Sequence, residues 1–285
     1  MKKVLITGCN GQLGRSLNTL LKDTDVEIVN TDVDTLNICD YAQVDAVIGK
    51  ERPDTIINCA AHTAVDKCET DKENARLINA VGPENLAKAA EKYGARIVQV
   101  STDYVFSGDG DRPYVETDEV SPKSVYGETK LDGERAVMAA TDRYFIVRTA
   151  WLYGDGNNFV KTMLRLADER DEITVVSDQY GTPTSSLELA RMILYIIEKG
   201  EYGVYHGTCE GMTSWYEFAK EIMRQAGKGV KVSPVTTAQY TATVAERPMY
   251  SVLENKKLNS MGDYRMKEWK EALTEYMNDF GFADR

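Results

Sequence analysis

Residues 3–22 read "KVLITGCNGQLGRSLNTLLK". A short apolar run is followed by glycines at 8, 11 and 14, and then by an amphipathic run. The pattern predicts a buried strand over 3–7, a tight glycine turn, and a helix over 11–22. Glycine lets the backbone turn sharply and approach a phosphate without a clashing Cβ. The helix that opens there offers free N–H groups and a partial positive charge. A lone G-x-x-G-x-x-G is weak, but one placed between a strand and a helix is a dinucleotide cradle. Gly8, Asn10, Gly11, Gln12, Leu13 and Gly14 are its candidate residues.

The same rhythm continues outward. Strands are expected at 26–30, 55–59, 96–101 and 144–149, and helices at 41–50 and 72–93, the latter interrupted at Gly82-Pro83. A further helix carries "SVYGETKLDGE" (124–134). Short, wholly apolar strands alternating with helices predict an α/β fold with a doubly wound parallel sheet and right-handed crossovers. Beyond Arg148 the alternation loosens. Helices are expected at 157–170, 187–200, 213–227 and 266–279, and a strand with turns at 203–208, while 233–250 shows little period. The division expected is a dinucleotide-binding core over 1–150. Residues 151–285 form mainly a smaller substrate-binding lobe, with some segments returning to the core.

Composition narrows the function. The chain has 285 residues, enough for a large core, and a formal net charge of −11. Such an acidic chain is a poor partner for nucleic acid or anionic lipid. No uncharged apolar run is long enough to span a bilayer. The two lysines and apolar residues at the start resemble a signal peptide, but the apolar part is short and glycine breaks it. Five scattered cysteines without a C-x-x-C argue for reduced thiols and a cytoplasmic location, and against disulfides or a zinc site.

Asp32 ends the second strand, where a carboxylate can accept both ribose hydroxyls of an adenosine. It would repel a 2′-phosphate by several kcal/mol at ~4 Å and an effective dielectric of ~20. Asp34 adds to that field, and no arginine lies between residues 16 and 51. NADH is therefore favoured, with NADPH still allowed. After the third strand, Ala60 and Ala61 let a ribose or nicotinamide pass close to the chain, and Thr63 can donate a hydrogen bond. His62 reads as a packing residue.

Tyr126 and Lys130 stand at i and i+4, on one helical face. A free phenol, with a pKa near 10, is a sluggish proton shuttle at neutral pH. An ammonium ~4–5 Å away is worth ~3–4 kcal/mol at a dielectric of ~20, enough to lower the phenol by two to three units at most. Ser101 and Thr102 end the fourth strand with side chains on opposite faces, so one of them can hold a reacting carbonyl.

"TGCNGQLG", "CAAHTAVDKCE", "STDYVFSG", "VYGETKLDGE", "RTAWLYG" and "SDQYGTPT" occur in this order. Together they resemble the extended short-chain dehydrogenase/reductases and, within them, the dTDP-4-dehydrorhamnose reductases, from the first strand to about Leu253. The resemblance implies a Rossmann fold, a nicotinamide cofactor and a nucleotide-sugar substrate, dTDP-4-dehydro-L-rhamnose, reduced at C4 to dTDP-L-rhamnose. It implies Thr102, Tyr126 and Lys130 as the catalytic set, and Asp103, Tyr104 and Trp151 as sugar contacts. Arg247 is implied at the substrate diphosphate, and Asn37 and Ile38 near the adenine, with Asn37 where relatives often carry an acid. Some members dimerise through a metal held by an acid two residues after the last turn glycine. Ser16 stands there, so no metal is expected and a homodimer stays open.

Two other readings compete. A nucleotide-sugar epimerase, or a reductase of another sugar, would share these motifs; an epimerase tends to keep its cofactor through purification. A non-catalytic regulatory subunit resembling that of methionine adenosyltransferase would need the pocket but no turnover. The intact Thr102, Tyr126 and Lys130 favour catalysis.

Overall fold

The computed structural model describes residues 1–240 and 244–284; residues 241–243 and 285, which fall in the expected 151–285 lobe, lie outside the described residues. The elements in order are β1 (Lys3–Thr7), α1 (Gln12–Leu21), β2 (Glu27–Thr31), α2 (Tyr41–Glu51), β3 (Thr55–Asn58), α3 (Val65–Thr70), α4 (Lys72–Arg76), α5 (Gly82–Tyr93), β4 (Arg96–Thr102), α6 (Val125–Ala140) and β5 (Tyr144–Thr149). They continue as β6 (Leu152–Tyr153), α7 (Phe159–Glu169), β7 (Glu172–Val176), β8 (Tyr180–Gly181), β9 (Thr184–Ser185), α8 (Ser186–Lys199), β10 (Gly203–His206), β11 (Thr213–Ser214), α9 (Trp215–Gln225), β12 (Lys231–Val235), α10 (Lys256–Ser260) and α11 (Trp269–Asp279).

The main sheet is parallel throughout, in the order β10-β5-β4-β3-β1-β2. Alternating side chains serve its two faces. Val4, Ile6, Ile57, Val98 and Val147 pack against Leu13 and Leu17 of α1 and Leu189 and Ile193 of α8. Leu5, Ile56 and Ile97 pack the other way, against Val44, Ile48, Leu86 and Val137. That two-sided burial is why these strands are apolar runs rather than alternating ones. The sixth strand, β10, comes from far along the chain and pairs with β5, Gly203 opposite Phe145 and His206 opposite Arg148.

A separate apolar cluster joins α7, β7, α9 and α11 through Val160, Ile173, Phe218, Ile222 and Leu273. Here β7 pairs in parallel with β12. Neither strand is prominent in the sequence, because "EITVV" follows a dense charge run and β12 overlaps the stretch of little period. The expected helix over 72–93 is three pieces. Residues Leu77–Val81 wind as a π-helical turn before Gly82 and Pro83. Proline has no N–H to give and crowds the carbonyl four residues back, so it is accommodated in the first turn of a fresh α-helix.

Helix ends follow side-chain capping. Asp40 accepts from Ala42 and Gln43 N–H at the start of α2, and Ser124 accepts from Gly127 N–H at 3.2 Å at the start of α6. The second cap fixes where α6 begins, and so which face Tyr126 and Lys130 present. No helix among the described residues is long and apolar enough to cross a membrane.

Candidate active site

A crevice runs along the carboxyl ends of β1, β3, β4 and β5. One end has a volume of about 400 Å³ and is lined by Gly8, Asp32, Asn37 and Ile38. The other, about 580 Å³, is lined by Asn10, Gln12, Leu13, Thr63 and the reactive residues. Gly11, Ala60 and Ala61 line both, so the two are continuous. Gly8 has φ +60°, and a Cβ there would stand 2.8 Å from the Ala60 amide nitrogen. A Cβ on Gly14 would stand 2.5 Å from the Gly8 carbonyl oxygen. The turn is thus a cradle held open by missing side chains, which fits a pyrophosphate. The Asn10 N–H donates to Asp32 Oδ2 at 3.0 Å, tying the carboxylate to the turn. Asn85 donates to the Ile38 carbonyl at 2.9 Å and fixes the chain beside it. No lysine or arginine is among the described residues lining the Asp32 end.

At the other end the structure brings Thr102, Asp103, Tyr104, Tyr126, Lys130 and Trp151 onto one wall system. Ser101 and Thr102 diverge as the strand geometry requires. Ser101 Oγ donates to Glu134 Oε1 at 2.5 Å, whereas Thr102 Oγ1 donates to Asp103 Oδ1 at 2.9 Å and lines the crevice with the Tyr126 phenol. Burial pushes Asp103 up to about 6, against the hydroxyls of Ser251 and Thr102 that favour its charged form. Tyr104 stacks edge-on to Tyr126, ring centres 5.4 Å apart.

The expectation of a phenol lowered by its ammonium neighbour is overturned. Burial raises the Tyr126 phenol well above its ordinary value, the Thr102 hydroxyl opposes this only in part, and Asp103 adds to the rise. The Lys130 amine donates to the Val100 carbonyl at 2.6 Å, and burial lowers it to about 8. Desolvation is the largest cause of both shifts, and neither group acts on the other. The resting phenol is therefore a protonated donor, not a phenolate.

Sequence reading missed two features. Glu134, fully buried, takes hydrogen bonds from Arg148 Nε at 2.9 Å and Nη2 at 2.7 Å, besides that of Ser101. Trp215 stacks on Trp151 with ring centres 3.5 Å apart and planes 9° apart. Trp151 is held at φ +48°, unusual for a residue with a side chain. Gly181 presses on the same indole so closely that a Cβ would reach 2.5 Å from it. Arg247 lies outside this crevice, paired with Asp66 at 2.9 Å and lining a neighbouring hollow with Tyr104. Among the described residues no group of His, Cys, Asp and Glu is arranged to hold a metal ion, and Ser16 Oγ lies 2.7 Å from Ser186 Oγ.

Trp215→Ala is expected to free the Trp151 indole and raise KM for a sugar substrate at least fivefold while leaving cofactor Kd unchanged. Near-ultraviolet circular dichroism should lose the signal of the stacked indole pair. An unaltered KM would show that the stack is packing only.

Comparisons agree along the whole chain. The family model for the RmlD substrate binding domain matches residues 1–282. A dTDP-4-dehydrorhamnose reductase of Aggregatibacter actinomycetemcomitans is 42% identical over 96% of this chain and 97% of that one. The crystal structure of a dTDP-4-dehydrorhamnose reductase of Clostridium acetobutylicum is 53% identical, covering 98% of this chain and 99% of that one with a TM-score of 0.96. Another, from Bacillus anthracis in complex with NADP, is 43% identical, covering 98% and 100% with a TM-score of 0.95. With the glycine cradle and the reactive end joined in one crevice, and the match unbroken from β1 to α11, the chain belongs to the RmlD substrate binding domain family, among the extended short-chain dehydrogenase/reductases.

Proposed function

We propose that this oxidoreductase reduces the C4 keto group of dTDP-4-dehydro-L-rhamnose to give dTDP-L-rhamnose. The observation that carries the reading is a protonated Tyr126 on the same wall as Thr102 and Lys130, in a crevice continuous with the glycine cradle. Gly8 to Gly14 would hold the cofactor pyrophosphate, Asp32 the adenosine ribose, Asn37 and Ile38 the adenine, and Ala60, Ala61 and Thr63 the nicotinamide side. When bound, the reduced nicotinamide supplies hydride to the carbonyl carbon. Thr102 orients the carbonyl oxygen. Tyr126 Oη gives that oxygen its proton, and the resulting phenolate is stabilised by the Lys130 ammonium. A phenol raised by burial is a weak acid, and its proton moves as negative charge develops on the carbonyl oxygen during hydride transfer. Asp103, Tyr104 and Trp151 would contact the sugar. Arg247 would reach the diphosphate once released from Asp66.

Residues 1–150 serve as the dinucleotide-binding core and 151–285 mainly as the substrate-binding lobe in this reading. The absence of a lysine or arginine beside Asp32 supports NADH over NADPH. The scattered cysteines support a cytoplasmic location, and a homodimer is compatible with the site. The test is cofactor oxidation with dTDP-4-dehydro-L-rhamnose, followed at the reduced-nicotinamide absorbance. NADH is expected to give at least a tenfold higher kcat/KM than NADPH. Equal values would remove Asp32 from cofactor selection, and no oxidation with either would remove the proposed reaction.

A further inference from the structure

Below the reactive end lies a charged group that the reaction as described does not use. Glu134 stands one helical turn beyond Lys130 on α6 and has no exposed surface. A buried carboxylate is costly unless it is paired and hydrogen-bonded. Here Arg148 from β5 grips both of its oxygens, and Ser101 from β4 adds a third hydrogen bond. Arg148 is itself 5% exposed and lies over the Phe106 ring, its guanidinium 5.2 Å from the ring centre. Two strands and a helix therefore hold one carboxylate in place.

Lys130 is 3% exposed, and its amine has the Val100 carbonyl as its hydrogen-bond acceptor. Glu134 acts to favour its charged form, and the Cys59 thiol from the end of β3, pushed up to about 12 by burial, stays neutral beside it. Tyr126, on its own helix, is a neutral phenol at rest. Asp103, after β4, faces that phenol, and Cys9, after β1, faces Cys59. Among these groups Glu134 is the carboxylate whose charge acts on the amine: it stands at i+4 on α6 and accepts from Ser101, while the amine donates to the carbonyl of Val100, the preceding residue of β4. A surface-type lysine with no such partner would shed its proton on burial.

We propose that Glu134 is a positioning residue for the reduction, a fixed counter-charge that keeps the buried Lys130 amine protonated through turnover, with Arg148 and Ser101 holding it in place. The proposal rests on the functional reading above only for the word turnover. The coupling between the two side chains stands in the protein without cofactor or substrate. Glu134→Gln removes the charge and keeps the shape. The Lys130 ammonium then loses its proton at lower pH.

The experiment follows the Cε resonance of Lys130 in ¹³C-lysine-labelled cofactor-free protein across pH, assigned against Lys130→Met. The titration midpoint is expected to fall by at least about one unit in Glu134→Gln, a tenfold change in the ratio of charged to neutral amine. Glu134→Asp, which keeps a carboxylate, should recover most of it. Ser101→Ala, which withdraws one of the hydrogen bonds that position the carboxylate, should move the midpoint the same way by less, and it serves if the glutamine variant does not fold. With NADH and dTDP-4-dehydro-L-rhamnose, the alkaline limb of kcat should move with the midpoint. A midpoint unmoved in the glutamine variant, or in Ser101→Ala if that alone folds, overturns the proposal. So does an activity loss that is equal at every pH. A midpoint that moves in a protein that does not reduce the sugar refutes the functional reading and leaves the coupling standing.

Discussion

Tyr126→Phe is expected to lower kcat by between about 10²- and 10⁴-fold, the range of a positioned proton donor. The change deletes one oxygen from a ring packed edge-on against Tyr104, and it leaves that packing intact. It also leaves the glycine cradle and Asp32 untouched, so the cofactor should bind within about threefold of the native Kd by fluorescence titration. The split between binding and turnover is the informative part, because a mutation that merely loosened the crevice would weaken both. Because burial raises the phenol, the native donor stays protonated throughout the neutral range. An alkaline loss of rate near the Lys130 value of about 8 then reports the amine rather than the phenol. Native-like turnover in Tyr126→Phe would place the proton donor elsewhere, with Asp103, held near 6 by burial, the next group in line.

The sheet was legible because a strand buried on both faces has to be apolar along its length, and Val4 to Ile6, Ile56 to Ile57 and Phe145 to Val147 are. The pairing of Tyr126 with Lys130 was legible for a different reason, since helical spacing alone puts them on one face. What the sequence hides is burial of charge. Glu134 and Arg148 look like any helix-surface acid and strand-end base, and only the packing of α6 on β4 and β5 brings them together. The direction of the phenol shift was hidden by the same fact. A Coulomb argument between two side chains can be made from spacing, whereas the desolvation that sets the shift needs the surrounding atoms. Trp215 was hidden because it joins the crevice through its contact with Trp151, far away in sequence. Arg247 was assigned by likeness alone, and its bond to Asp66 could not be read from either local stretch.

The cradle itself admits a sharper test than the reactive end, because it depends on an atom that is absent. Gly14→Ala would place a Cβ 2.5 Å from the Gly8 carbonyl oxygen, 2.6 Å from Cys9 Cα and 2.7 Å from the Cys9 carbonyl oxygen. All three are backbone, so no side chain can swing aside. Alanine favours helix over glycine by about 1 kcal/mol, which works against the clash. Forcing backbone apart in a packed site costs about 1–3 kcal/mol and often more, and the turn must also open. A net loss of about 2 kcal/mol would lower Tm by roughly 4–8 °C in a chain of this size. Cofactor affinity should fall at least tenfold, because the N–H groups of the turn and of the first turn of α1 no longer converge on one point. Gly229→Ala is the matched control: a Cβ there meets nothing within 4 Å, so both quantities should stay unchanged. Cofactor Kd and Tm measured on the two variants side by side decide the matter. A Gly14→Ala protein that keeps native affinity would mean that the first turn does not bind the pyrophosphate, and the crevice would lose its assignment from that end.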